Sequence, residues 1–305
     1  MSKHYHFVQA DVFTGQAFGG NQLAVFTDAR GLTADEMQTL AQEMNYSEST
    51  FVLPPEIPNA VKRVRIFTPG KEMPMAGHPT VGTAFVLAQH GDIPLVGERT
   101  EATLQLGIGP VDVVIEQANG KPSFVWMKHR EPEFGATFTD REAVAQSLGI
   151  AASEVSTEFP MQSISTGVRF MMVPLVSLAI AHRCAPNSSA LLELCERLNI
   201  EGLYVFTKET MLPGMQIHAR MFASPELGLI EDPATGSAAG PFGGYVARYG
   251  VLPRADKLRF VIEQGVEMKR PSQIKVKVES SGDKITGLAI GGQTVIVGEG
   301  DIFWE

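Results

Sequence analysis

Two cysteines in 305 residues, Cys184 and Cys195, are too few for a disulfide framework. They fit a reducing compartment, where both read as ordinary buried thiols. Long apolar runs are also missing: nothing approaches the ~20 residues that cross a bilayer, so no membrane span is expected. Met1 to Ala10 hold no apolar signal core, which predicts a cytoplasmic protein. Positive charge is scarce. Lys and Arg total 25 against 34 Asp and Glu, a net charge of −9. Such a chain has no general attraction for a phosphate backbone, so nucleic acid is not an expected partner. Charged residues are only 19% of the chain and apolar ones 44%, which suits burial rather than disorder. There is no Walker-type phosphate loop, and Gly107-Ile-Gly109-Pro110 lacks the third glycine and strand–helix setting of a dinucleotide loop. His4 and His6 share one face of a strand-like segment, with no third ligand evident. No organic cofactor and no metal are expected.

What the chain does contain is a weak internal repeat. Met75-Ala-Gly-His78-Pro79-Thr-Val-Gly82 resembles Ile230-Glu-Asp232-Pro233-Ala-Thr-Gly236-Ser237. Each follows a strand-like segment, Arg65-Ile-Phe67-Thr-Pro or Arg220-Met-Phe222-Ala-Ser-Pro. Upstream, Thr33 and Glu36 form a capping box that opens a helix to about Met44. Asn187, 154 positions further on (187 − 33), is an equally good N-cap. The same offset pairs Leu40 with Leu194, Asn45 with Asn199, and His78 with Asp232. Each helix runs into an apolar segment, Phe51-Val-Leu or Tyr204-Val-Phe. Several matches in register predict a duplication: strand, helix, strand, strand, apolar helix, twice over. A further helix is expected from Thr139, with Glu142 closing its capping box, to Gly149. The Gly- and Pro-bearing stretch Ala118–Pro122 is the expected boundary. Residues 1–120, with a returning last strand at about 294–305, then form one half, and residues 121–293 the other.

The two apolar helices are unusual. From His78 to Ala88 nearly every residue is small or apolar, with Pro79 at the expected first helical position. A helix apolar on all sides is buried on all sides. In the second copy Asp232 is the expected N-cap. In a strand-rich chain such a helix belongs inside a strongly curved sheet. The expected fold is therefore α+β, with two pseudo-symmetric halves, each an antiparallel β-barrel wrapped around a central apolar helix. Helix N-termini present unpaired N–H groups and partial positive charge, so an anion such as a carboxylate is the expected ligand near Gly77, Gly236 and Ser237. For the glycines alone, tight helix–sheet packing is an equally good reading.

The segments Asn45-Tyr-Ser47-Glu48-Ser-Thr-Phe-Val, Arg65-Ile-Phe-Thr-Pro, Ala76-Gly-His78-Pro-Thr-Val-Gly and Glu231-Asp232-Pro-Ala-Thr-Gly-Ser237-Ala resemble the PhzF family of phenazine-biosynthesis isomerases. The resemblance covers essentially the whole chain. It implies a diaminopimelate epimerase-like fold, a homodimer, and a cofactor-independent isomerase of a small carboxylic acid. The family's founding activity is isomerisation of trans-2,3-dihydro-3-hydroxyanthranilate. The resemblance also implies Glu48 as the catalytic acid/base, and Ser47, Gly77, His78, Asp232, Gly236 and Ser237 as substrate-binding residues. Read by themselves, Glu48 is a solvated glutamate, His78 and Asp232 are helix caps, and Ser47 satisfies a turn. The repeat counterpart of Glu48 is Gly202, so only one half supplies a carboxylate there. A one-base proton transfer needs just one. Racemases of the same fold use two facing cysteines; the corresponding positions here are Ala76 and Thr235. The competing expectations are a racemase or epimerase working without cysteine, and a non-enzymatic small-molecule binder.

Overall fold

A computed structural model describes residues 3–304 of the chain. In chain order the elements are β1 (Lys3–Val12), β2 (Asn21–Phe26), α1 (Ala34–Met44), β3 (Glu48–Leu53), β4 (Lys62–Phe67), β5 (Glu72–Met73), α2 (Gly77–Gln89), β6 (Arg99–Leu106), β7 (Gly109–Ala118) and β8 (Lys121–Lys128). There follow β9 (Glu133–Phe138), α3 (Arg141–Leu148), β10 (Met161–Ser165), β11 (Arg169–Pro174), α4 (Leu178–Arg183), α5 (Ser188–Leu198), β12 (Gly202–Thr207) and β13 (Ile217–Ala223). The chain closes with β14 (Glu231–Asp232), α6 (Gly236–Tyr249), β15 (Lys257–Gln264), β16 (Ser272–Ser281), β17 (Lys284–Gly292) and β18 (Thr294–Trp304). Two compact units result. One runs up to Lys128 and takes back the stretch from Gly291 onward; the other spans His129–Ile290.

Each unit repeats one strand plan. In the first, β2 is parallel to β3, β3 antiparallel to β4, β4 antiparallel to β5 and parallel to β6, and β6 antiparallel to β7. In the second, the same relations link β11 to β12, β12 to β13, β13 to β14 and β15, and β15 to β16. The expectation of purely antiparallel barrels is thus corrected: each unit contains two parallel pairs. The reason is connectivity, since a helix links the parallel partners and a helical crossover returns the chain in the same direction. β18 pairs with β1, which also pairs with β2.

Alternation along β3 shows how each sheet serves two layers. Phe51 faces a cluster that includes Met37, Leu40 and Ala41 of α1. Thr50 faces the other way, its Oγ1 2.8 Å from Thr83 Oγ1 on α2. Glu48 has the parity of Thr50 and therefore lies on the α2 side. Helix α2 is buried from Gly77 through Ala88 and packs on β1, β2, β3, β7, β8 and β18. At Gly82 a Cβ would sit 2.6 Å from side-chain atoms of both Val12 and Leu23, so packing explains that glycine. In the second unit Leu203 and Val205 join an outer cluster with residues of α3, α4 and α5. Tyr204 and Phe206 turn inward onto Phe242 of α6, with ring centroids 5.4 and 4.7 Å away.

The repeat is real in its caps and shifted further on. Thr33 caps α1 with its capping box closed, and Asn187 caps α5. Both helices end on an asparagine in the left-handed region, Asn45 at φ 51 and Asn199 at φ 49. Past β13, a 3₁₀ turn at Pro225–Leu227 lengthens the second copy. Register then matches Glu72 and Met73 to Glu231 and Asp232, because Phe67 faces Glu72 as Phe222 faces Glu231. A duplicated Arg65–Glu72 and Arg220–Glu231 fork supports that match. The counterpart of Asp232 is therefore Met73, and His78 corresponds to Ser237; the pairing of His78 with Asp232 is corrected. Asp232 does not cap α6. It lies in β14, and the N-cap is Thr235. Likewise α2 starts at Gly77 behind the N-cap Ala76, which makes Pro79 its third residue rather than its first. Proline is tolerated there because first-turn N–H groups have no intrahelical partner. The N-cap of α3 is Asp140, accepting from the Ala143 N–H, rather than Thr139. The Ala118–Pro122 stretch is a hairpin turn between β7 and β8, with Asn119 and Gly120 at φ 53 and 76. The division of the chain falls after β8. Among the described residues no helix is long and apolar enough to cross a membrane.

Candidate functional site

In the first unit the left-handed Asn45 ends α1, Ser47 sits half-buried in the bend, and Glu48 opens β3. The Glu48 side chain is 14% exposed and His78, second residue of α2, 2%. His78 Nε2 lies 3.4 Å from Glu48 Oε2. On the other side of the ring, the Asn21 side-chain amide is hydrogen-bonded to His78 Nδ1 at 2.9 Å. Burial pulls the His78 pKa down to about 3, opposed only in part by the Gln22 backbone. The two side chains therefore meet as a carboxyl group and a neutral imidazole, not as an ion pair. His78 supplies an oriented dipole and leaves Glu48 free of a fixed histidine cation, as an alternating acid and base requires. A ¹⁵N titration of the full chain should show the His78 ring unchanged from pH 8 to pH 5. Protonation near the ordinary histidine value would contradict this picture.

Asn21 was not foreseen as a site residue. Its only signal was the turn Phe18-Gly-Gly-Asn21, in which Phe18 and Gly20 take positive φ and the Phe18 N–H donates to Asp11 Oδ2 at 2.6 Å. The counterpart of Glu48 is confirmed as Gly202, first residue of β12. A Cβ there would lie 2.4 Å from the Phe222 carbonyl oxygen, closer than any real contact. The second unit thus has no room for a side chain of any kind at this position.

In the second unit the polar groups cluster around the start of α6. Asp232 is buried, and Thr235 Oγ1 donates to Asp232 Oδ2 at 2.6 Å. Gln264 Nε2 donates to the Asp232 carbonyl at 2.7 Å and to Thr235 Oγ1 at 2.9 Å, while its Oε1 accepts the Thr235 N–H at 3.1 Å. Gln264, at the end of β15, carried no sequence signal at all. Gly236 and Ser237 are the first two residues of α6, both buried. Neither Ala76 nor Thr235 caps its helix with a side chain, so first-turn amides at Gly77, His78, Gly236 and Ser237 keep their donor capacity. A cavity of about 670 Å³ lies elsewhere in this unit, lined by Phe134, Arg248 and Arg254 at the C-terminal end of α6. Cys184 and Cys195 are buried, which pushes their thiols up to about 11 and about 12. A two-thiol mechanism has no basis here.

The model of the phenazine biosynthesis-like proteins, PhzC-PhzF, matches residues 10–300. The chain belongs to this family. An uncharacterized isomerase of Mesorhizobium japonicum is 38% identical over 299 residues, covering 96% of this chain and 97% of the relative. A trans-2,3-dihydro-3-hydroxyanthranilate isomerase of Pseudomonas chlororaphis is 35% identical over 298 residues, covering 98% and 99%. The crystal structure of a Bacillus anthracis phenazine biosynthesis protein of the PhzF family superposes with a TM-score of 0.87 at 31% identity, over 98% of this chain and 99% of that one. The fold is the expected α+β, diaminopimelate epimerase-like one, and the enzyme class is isomerase.

Proposed function

We propose that the chain isomerises a small cyclic, unsaturated carboxylic acid of the trans-2,3-dihydro-3-hydroxyanthranilate type, with Glu48 as the single acid/base. The observation that carries this reading is the contact between Glu48 and a buried, neutral His78, set against a Gly202 that can hold no side chain. Glu48 takes a proton from a saturated ring carbon, and the freed electron pair forms the new double bond. The old double bond collapses onto its far carbon, which takes the proton back from Glu48. Electrons and protons balance within substrate and carboxyl group, so no redox cofactor or metal is called for. His78 and Asp232 hold the polar groups of the substrate and stabilise charge that develops during transfer. Ser47, Gly77, Gly236 and Ser237 complete the substrate-binding set. A homodimer in the cytoplasm belongs to the same reading.

The test is turnover. Incubation with trans-2,3-dihydro-3-hydroxyanthranilate and related cyclic acids, followed by proton NMR, should show movement of the double bond without any added cofactor. Binding without conversion would favour a non-enzymatic binder, and inversion at a stereocentre without double-bond movement an epimerase.

A further inference from the structure

The second unit holds a buried charge network that the acid/base chemistry does not use. His218 on β13 is fully buried, with Nδ1 2.7 Å from Glu263 Oε1 and Nε2 2.9 Å from Glu267 Oε1. With a carboxylate at each ring nitrogen, both nitrogens donate and the ring is an imidazolium. Burial alone lowers its pKa, but the two carboxylates outweigh that and lift it to about 9. Glu263 also accepts the backbone N–H groups of Met211 and Leu212 at 2.6 and 2.7 Å, pinning the loop between β12 and β13. Glu267 meets His182 Nδ1 of α4 at 2.8 Å and lies 4.0 Å from Arg220 Nε. Arg220, two residues beyond His218 on the same strand face, grips Glu231 with two hydrogen bonds of 2.7 and 2.8 Å. It also donates to the carbonyls of Ala181 and Cys184. Glu231 and Asp232 together make up β14. The charged and titratable groups around His218 are thus Glu263 from β15, Glu267 from the turn after it, His182 from α4, and Arg220 from its own strand.

The first unit has the same strap in a different chemistry. Arg63 pairs with Gln105 in the register where His218 pairs with Glu263. Gln105 Oε1 accepts the Glu56 N–H at 2.7 Å, again holding the loop between two strands, and Arg63 binds Glu56 at the surface. A permanent cation and a neutral amide there become a buried, titratable histidine and a carboxylate in the second unit.

We propose that His218 is a positioning residue. Its buried imidazolium, through Glu267 and Arg220, sets Glu231 and with it the substrate-binding Asp232. This rests on the reading of Asp232 under Proposed function. When His218 loses its proton, Glu263 and Glu267 lose the cation between them, Arg220 becomes the main countercharge for Glu267, and its grip on Glu231 loosens. Substrate binding then weakens while Glu48 still moves the proton, so KM rises by more than kcat falls.

Two measurements on the full chain decide it. NMR of the wild-type protein should find both His218 ring nitrogens protonated at pH 7, with a midpoint near 9 and the Asp232 amide shift moving with the same midpoint. A neutral His218 at pH 7, or an Asp232 amide indifferent to its titration, would overturn the proposal. That arm needs neither turnover nor a variant, so it stands even if the proposed reaction is wrong or a variant does not fold. In kinetics, KM should climb at least tenfold through the alkaline range. His218→Gln should show that rise already at pH 7, and His218→Arg, with the fixed charge of its first-unit counterpart, should flatten the limb. An unchanged KM in folded His218→Gln, or an alkaline limb retained in His218→Arg, would count against it.

Discussion

Glu48→Gln is expected to lower kcat by ~10²–10⁴-fold while the protein keeps its fold, the range typical for removing a general acid/base. Glutamine has nearly the same size and can still sit against the His78 ring, so little in the local packing is lost. What disappears is the group that can take a proton from carbon and return it. The effect should fall on kcat more than on KM, because the lost interaction is made in the transition state. Circular dichroism and the melting temperature should stay close to wild type. Full activity in Glu48→Gln would remove Glu48 from the mechanism, and with it the one-base reading.

The largest loss of stability is expected at the centre of the second unit. Phe242 is fully buried in α6, with its ring 4.7 Å from that of Phe206, 5.4 Å from Tyr204, 5.9 Å from Tyr245 and 6.3 Å from Phe260. Phe242→Ala removes the side chain around which these aromatics close and leaves a cavity the sheet cannot easily fill. The expected cost is ~3–5 kcal/mol, read from urea denaturation of the full chain. α6 also carries Gly236 and Ser237 at its start, so a loosened helix should weaken ligand binding as well. A loss below about 1 kcal/mol would mean that α6 is not the core its burial implies.

Local physics made much of this legible in the sequence. Thr33, Glu36 and Asn187 mark helix starts because capping depends on a few neighbouring atoms, and all three do so in the structure. The all-apolar run after His78 announced a helix buried on every side, and α2 is one. Relations set by spatial rather than sequence neighbours were hidden. The 3₁₀ turn at Pro225–Leu227 shifts the repeat, so a constant offset matched His78 to Asp232 when Ser237 is its counterpart. Asn119-Gly120 carries a hairpin signature, yet glycine and proline also mark linkers, so the same residues fit a boundary equally well. Asn21 and Gln264 act through partners 57 and 29 residues away, His78 and Thr235 respectively. His218 and Glu263, 45 residues apart, look like two unrelated surface charges until β13 and β15 pair in parallel.

Where the proton goes tests the single-glutamate mechanism most directly. Isomerisation in D₂O, with the product analysed by NMR and mass spectrometry, should place one deuterium on one face of the reprotonated carbon, with part of the original hydrogen retained because the carboxyl of Glu48 carries it across. Glu48→Gln should give no such incorporation at the rate of the wild-type enzyme. Deuterium on both faces, or the same labelling in Glu48→Gln, would contradict a single glutamate acting as acid and base.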